Sequence, residues 1–293
     1  MKHHNSLFIF FLLLSSVNIH SKISDTTLTR LPVGTNLFMK NSLNEQTGNI
    51  MKSNVSFIHN FGTDNTFVGK QAGNFQLTGS ANAGFGAGVL QKLTSGANNT
   101  AIGGGTTTTA ATLGAALANI TTGRSNTAAG HKALFSNQIG SSNTAVGKDS
   151  LANNVSGNQN TAVGFGALQA NTASNNTAVG ESALAGSTSG SQNVAIGFNA
   201  LVRNSNGTDN TAVGVDALLN NDRGNNNVAL GNGTLSQNVG NNNVGIGYQT
   251  FVSETFSVIT SFNNSIALGA RAGSLLELGK KKYIYWSSRS YGF

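Results

Sequence analysis

One short motif recurs along most of this chain, and it constrains the fold more than any other feature. The pattern Asn-Thr-Ala-Val-Gly-x-x-Ala/Ser-Leu begins cleanly at Asn143, Asn160, Asn176 and Asn210, with variants from Asn193, Asn227 and Ser265. Its glycines are Gly69, Gly86, Gly103, Gly130, Gly147, Gly164, Gly180, Gly197, Gly214, Gly231, Gly247 and Gly269. Successive glycines lie 17, 17, 27, 17, 17, 16, 17, 17, 17, 16 and 22 residues apart. The two long intervals hold insertions near Thr106 to Ala116 and near Ser253 to Phe262. A fixed period marks an architecture of stacked units, each of which buries its apolar surface against its neighbours.

Each repeat position has a physical reading. A large apolar residue precedes the glycine in eleven repeats: Val68, Phe85, Ile102, Val146, Val163, Val179, Ile196, Val213, Leu230, Ile246 and Leu268, with Ala129 as the exception. Leu lies four residues after the glycine in eight repeats, among them Leu134, Leu151, Leu168, Leu184, Leu201 and Leu218, and Phe251 takes that place in a ninth. Both positions are expected to form the repeat core. Two residues before the glycine stands Ala or Gly, except at Phe67, so one wall of the unit must tolerate close approach. A short β-branched run closed by Gly reads as a strand and a turn. The Asn-, Ser- and Gly-rich remainder, such as Asn153 to Asn158, reads as the segment that returns the chain. The sequence therefore predicts an all-β parallel solenoid of about twelve coils, each near 17 residues long. Burying one Val and one Leu per coil yields roughly 3–6 kcal/mol, while ordering a residue costs about 1–2 kcal/mol. Coil-to-coil ladders and stacked Asn side chains must add to this, and such a narrow roll predicts several chains side by side along an apolar stripe.

Composition agrees with this reading and removes others. Asn and Gly number 41 and 37, so amides supply much of the polarity. Charged residues make up 9% of the chain, against about 25% in ordinary globular domains, whereas disordered chains run to high net charge. A single Pro excludes collagen. The net charge of +7 resides in the ends. Between Gly62 and Gly279, eight basic residues balance eight acidic ones, with no cationic stripe for nucleic-acid phosphates.

The chain opens with Met1-Lys2-His3-His4, an apolar run from Leu7 to Leu14 and a small residue at Ser21, the three-part layout of a secretory signal peptide. That run is too short to span a bilayer, and no later segment is apolar for long enough to form a transmembrane helix. The expected organisation is a signal peptide over 1–21, a lead-in or capping segment over 22–61, repeats over 62–275 and a basic, aromatic tail over 276–293. An exported chain with no Cys cannot draw on disulfides for stability.

Residues suited to catalysis are sparse. After the leader only His59 and His131 remain, and His131 is expected to face solvent in a turn. Without Cys or a His pair the usual zinc sites are absent. No Gly-x-Ser-x-Gly elbow occurs, and the scattered acids form no general acid–base pair. The glycines at Gly84 to Gly88 and Gly103 to Gly105 lack the Lys and helix of a phosphate loop. No catalytic, cofactor-binding or metal-ligating residue is assigned, and no enzyme activity is expected. Thr fills the second motif position in seven coils, as an ice-binding array would need, but Ala83, Val194, Val228, Val244 and Ile266 interrupt the row.

The run Asn-Ser-Ile-Ala-Leu-Gly-Ala-Arg-Ala-Gly (Asn264 to Gly273) and the repeated Asn-Thr-Ala-Val-Gly copies resemble the head repeats of YadA-like trimeric autotransporter adhesins. The resemblance covers Asn65 to Gly273. It implies a left-handed parallel β-roll, a homotrimer, and a head exposed at the cell surface or outer membrane that binds host cells, matrix proteins or glycans. The period of 17 is longer than the coils of the best-known heads of that family, and no heptad stalk or four-strand anchor is visible in the sequence. A structural fibre module of a cell envelope or phage-like appendage is the alternative role.

Overall fold

The computed structural model describes residues 50–52, 55–107, 112–238, 240–252, 261–273 and 283–285. The expected signal peptide, most of the lead-in and most of the second insertion lie outside the described residues. A first pair of strands, β1 (Ile50–Lys52) and β2 (Val55–His59), precedes β3 (Thr66–Val68), β4 (Ala83–Phe85) and β5 (Thr100–Ile102). The first insertion contains a small hairpin of β6 (Thr106–Thr107) and β7 (Thr112–Leu113). The repeats continue with β8 (Thr127–Ala129), β9 (Thr144–Val146), β10 (Thr161–Val163), β11 (Thr177–Val179) and β12 (Val194–Ile196). After them come β13 (Thr211–Val213), β14 (Val228–Leu230), β15 (Val244–Ile246), β16 (Ile266–Leu268) and β17 (Tyr283–Tyr285).

Strands β3, β4, β5 and β8 to β17 stack in sequence order as one parallel sheet of 13 strands, which makes the chain a β-solenoid. The register is direct: Thr144 faces Thr161, Ala145 faces Ala162 and Val146 faces Val163. Both insertions leave the stack intact, since β5 pairs with β8 and β15 with β16 as neighbours. The segment read as a tail contributes another rung: Tyr283 faces Ile266, again 17 residues along. At the other end β2 pairs antiparallel with β3, and β1 antiparallel with β2, so a hairpin covers the edge of the first coil.

The interior is smaller than the sequence suggested. Side chains alternate along a strand, and the three-residue rungs between β3 and β16 turn their middle residue inward, so Ala145, Ala162, Ala178, Ala195 and Ala212 are fully buried. Leu134, Leu151, Leu168, Leu184, Leu201 and Leu218 fill the rest of the interior and are also fully buried. These leucines enter from a turn in which each has a left-handed backbone, with φ between 49° and 53°. That conformation strains an L-residue by roughly 1–2 kcal/mol, and burying the side chain offsets it with about 1.5–3 kcal/mol.

The residue before the repeat glycine has the opposite placement, which corrects its assignment to the core. Ile102, Val146, Val163, Val179, Ile196 and Leu230 are exposed, and Val68 and Val213 are half-buried. The cause is the two-residue alternation: with Ala facing inward, its neighbours on both sides must face outward.

Buried amides join one coil to the next. The Asn that opens each motif is buried at Asn65, Asn82, Asn99, Asn126, Asn143, Asn160, Asn176, Asn193, Asn210, Asn227 and Asn243. In the ladder the backbone N–H of Asn160 donates to Asn143 Oδ1 at 3.0 Å, and Asn160 Nδ2 donates to the same oxygen at 3.2 Å. The second hydrogen on Asn160 Nδ2 reaches the Ala173 carbonyl at 2.8 Å. Asn227 repeats this arrangement on Asn210 and on the Gly240 carbonyl. One side chain thus satisfies its own turn and the coils on either side, as buried polar groups require.

The repeat glycines are needed for close approach as well as for conformation. Their φ values run from 111° at Gly269 to 137° at Gly69, a region that only Gly adopts readily. A Cβ at Gly180 would lie 2.6 Å from the carbonyl oxygen of Gly197 in the next coil.

Candidate interaction surface

The outward side of the parallel sheet is the most distinctive surface of the molecule. Its third-position column runs through Phe85, Ile102, Val146, Val163, Val179, Ile196, Leu230 and Ile246, which are 36–50% exposed. The first-position column beside it holds Thr and Val, such as Thr144, Thr161, Thr177 and Val194, all half-buried. Neither column contains a charged residue. Ala129 is the one small side chain of the apolar column, and it lies in the coil after the β6–β7 hairpin.

A third column follows the repeat glycine. It reads Lys148, Phe165, Glu181, Phe198, Val215, Asn232 and Tyr248 in consecutive coils. Phe165, Phe198 and Tyr248 are 49%, 45% and 48% exposed. Lys148 Nζ lies 5.4 Å from the centroid of the Phe165 ring. Residues of the next coil hold the backbone beneath: the N–H groups of Ser182, Asn199 and Asp216 donate to the carbonyls of Phe165, Glu181 and Phe198 at 2.9, 3.1 and 3.0 Å. The other side of the coil carries an exposed amide and hydroxyl ladder, in which Ser141 N–H donates to Asn158 Oδ1 and Asn158 N–H to Ser174 Oγ.

The two histidines have separate environments. His131 is exposed in a turn, beside Gly114 at the return of the β6–β7 hairpin, where a Cβ would collide with its ring. His59 is buried between the rings of Phe67 and Phe75, with centroids at 4.9 and 4.4 Å. Its Nε2–H donates to the Ala72 carbonyl at 2.6 Å, and its Nδ1 accepts from Phe61 N–H at 3.5 Å. Burial pushes its pKa below the ordinary 6.5, partly opposed by the bond to Ala72. Among the described residues, no group of three His, Cys, Asp or Glu is placed to hold a metal ion. The ion pairs Lys148–Asp149 and Arg223–Asp222 join chain neighbours at the surface and contribute little. No helix among the described residues is long and apolar enough to cross a membrane.

The repeat glycines predicted from sequence line up through the stack, and the predicted core positions separate into an inner Leu column and an outer Val, Ile and Leu column. Sequence reasoning expected stacked Asn side chains, and it missed that the small middle residue faces inward and that the motif's first Asn is the buried member of the ladder. The near-constancy of Ala and Asn within the repeat, broken only by Phe67, Gly84 and Gly245 at one position and Ser265 at the other, carries that signal, because a solvent-facing position would vary more from coil to coil. Comparison with protein-family models, with curated proteins and with solved structures finds no match.

Proposed function

We propose that this chain is an exported, non-enzymatic, adhesin-like surface head that assembles side by side as a homotrimer and attaches to host cells, matrix or other surfaces through its extended solenoid. The observation that carries this reading is the uncharged apolar column from Phe85 to Ile246, in register over successive coils and open to solvent. Parallel sheets are almost always covered on both faces, and contiguous exposed apolar surface marks an interaction site. Another copy of the same column has the matching length and the matching rise per coil. The motif resemblance and the leader-like N-terminus support export and attachment.

The test of attachment is saturable binding of the purified protein to immobilised matrix proteins and glycans. Binding that saturates at or below micromolar concentration supports the reading. Absence of binding across that panel favours the structural fibre role instead.

A further inference from the structure

We infer that Phe165, Glu181 and Phe198, with Tyr248 farther along the same column, form a platform for an uncharged, linear β-linked polysaccharide. This rests on the surface-attachment reading and names the class of ligand for it. The repeat does not require aromatic residues in this column, because other coils place Lys70, Ala87, Gly104 and His131 there. Nor do the exposed rings fill the interior, which Ala and Leu already occupy.

Spacing and chemistry select the ligand. Phe165 and Phe198 are two coils apart, roughly 10 Å at about 4.8 Å per coil, which matches the advance of one disaccharide along an extended β-1,4-linked chain. Pyranose rings present flat C–H faces that pack on aromatic rings, so alternate sugar residues would meet Phe165 and Phe198. Glu181 lies in the coil between them, where its carboxylate oxygens accept from equatorial hydroxyls. Asn199 and Asp216 stand beside the column, with Asn199 Nδ2 donating to Asp216 Oδ1 at 3.3 Å. Lys148 and Glu181 flank Phe165 with opposite charges, so this stretch has no net attraction for a sulfated or otherwise anionic polymer. The laddered backbone beneath the column holds the platform rigid before binding, which limits the ordering cost.

The experiment is calorimetric titration of the full chain with cellohexaose and chitohexaose, with laminarihexaose as a β-linked chain of curved shape and heparin as an anionic control. At least one of the β-1,4 hexamers is expected to bind saturably and more tightly than either control. Phe198→Ala is expected to weaken that binding about tenfold, the scale of one aromatic contact, with an unchanged melting curve. Phe198→Trp is expected to retain binding. Failure of both β-1,4 hexamers while a matrix protein still binds overturns the polysaccharide assignment alone. Failure of every glycan and matrix protein overturns the attachment reading with it. A Phe198→Ala protein that changes oligomeric state at unaltered hexamer affinity assigns the ring to a contact between copies, and overturns the platform.

Discussion

At the scale of single residues, the coil is short because two unusual placements are repeated. Leu occupies a left-handed turn position where Gly or Asn would be usual, since the interior needs its side chain there. Asn is buried at the head of eleven rungs, with Ser265 in that place before β16, because no apolar side chain could pair with the buried polar groups of the coils around it. Asn193 shows the consequence. Its Nδ2 donates to Asn176 Oδ1 and the Gly207 carbonyl, and its Oδ1 accepts the Asn210 backbone N–H at 3.0 Å. Asn193→Ala leaves those buried groups unpaired and is expected to cost about 2–4 kcal/mol in urea denaturation, each unsatisfied group costing about 1–3 kcal/mol. Ser191→Ala, at the surface two residues earlier, should stay within about 0.5 kcal/mol. The glycine spacing and the turn chemistry were legible in the sequence. The direction in which Val146 or Ile196 points was not, because in a three-residue strand either alternation fits the pattern. What decides it is the width of a 17-residue coil, which admits Ala opposite Leu and cannot also hold Val.

At the scale of elements, neighbouring positions exchange volume so that the stack stays uniform. The first coil replaces the usual inward Ala with Phe67 and the usual Leu with Gly73, whose missing Cβ would lie 2.6 Å from the Phe67 ring. The next coil accommodates that ring with Gly84, where a Cβ would meet Phe67, Val89 and Leu90. Phe67→Ala alone is expected to destabilise the first coil by about 3–5 kcal/mol. Adding Gly73→Leu restores the repeat's own arrangement, and at least half of that loss should return in a double-mutant cycle read by denaturation. The same coil carries a pH dependence through His59. Among the described residues, its ring and hydrogen-bond partners are apolar or backbone: the rings of Phe67 and Phe75, the Ala72 carbonyl and the Phe61 N–H. Its folded pKa lies below the ordinary 6.5, so between the two values the unfolded chain binds the proton and the folded chain does not. Stability from this site is therefore complete above the unfolded value and falls as pH drops through that window toward the folded value. Hydrogen exchange of β2 and β3 amides should accelerate, relative to intrinsic rates, between pH 7 and pH 5 in the wild type. His59→Gln should lack this additional acid dependence.

At the scale of the whole molecule, the repeat explains both the composition and the exposed stripe. The motif supplies 12 of the 37 Gly and the ladder 11 of the 41 Asn. The parallel stack turns one apolar residue per coil into a continuous column along its outer face. A polar column there would suit a solitary solenoid, whereas this apolar one is the face that the proposed side-by-side assembly would cover. Sedimentation velocity of the chain, alongside a Val163→Glu/Val179→Glu variant, tests this most directly. The wild type is expected to sediment as a homotrimer and the variant as a folded monomer. A wild-type chain that sediments as a monomer and melts cooperatively would contradict it.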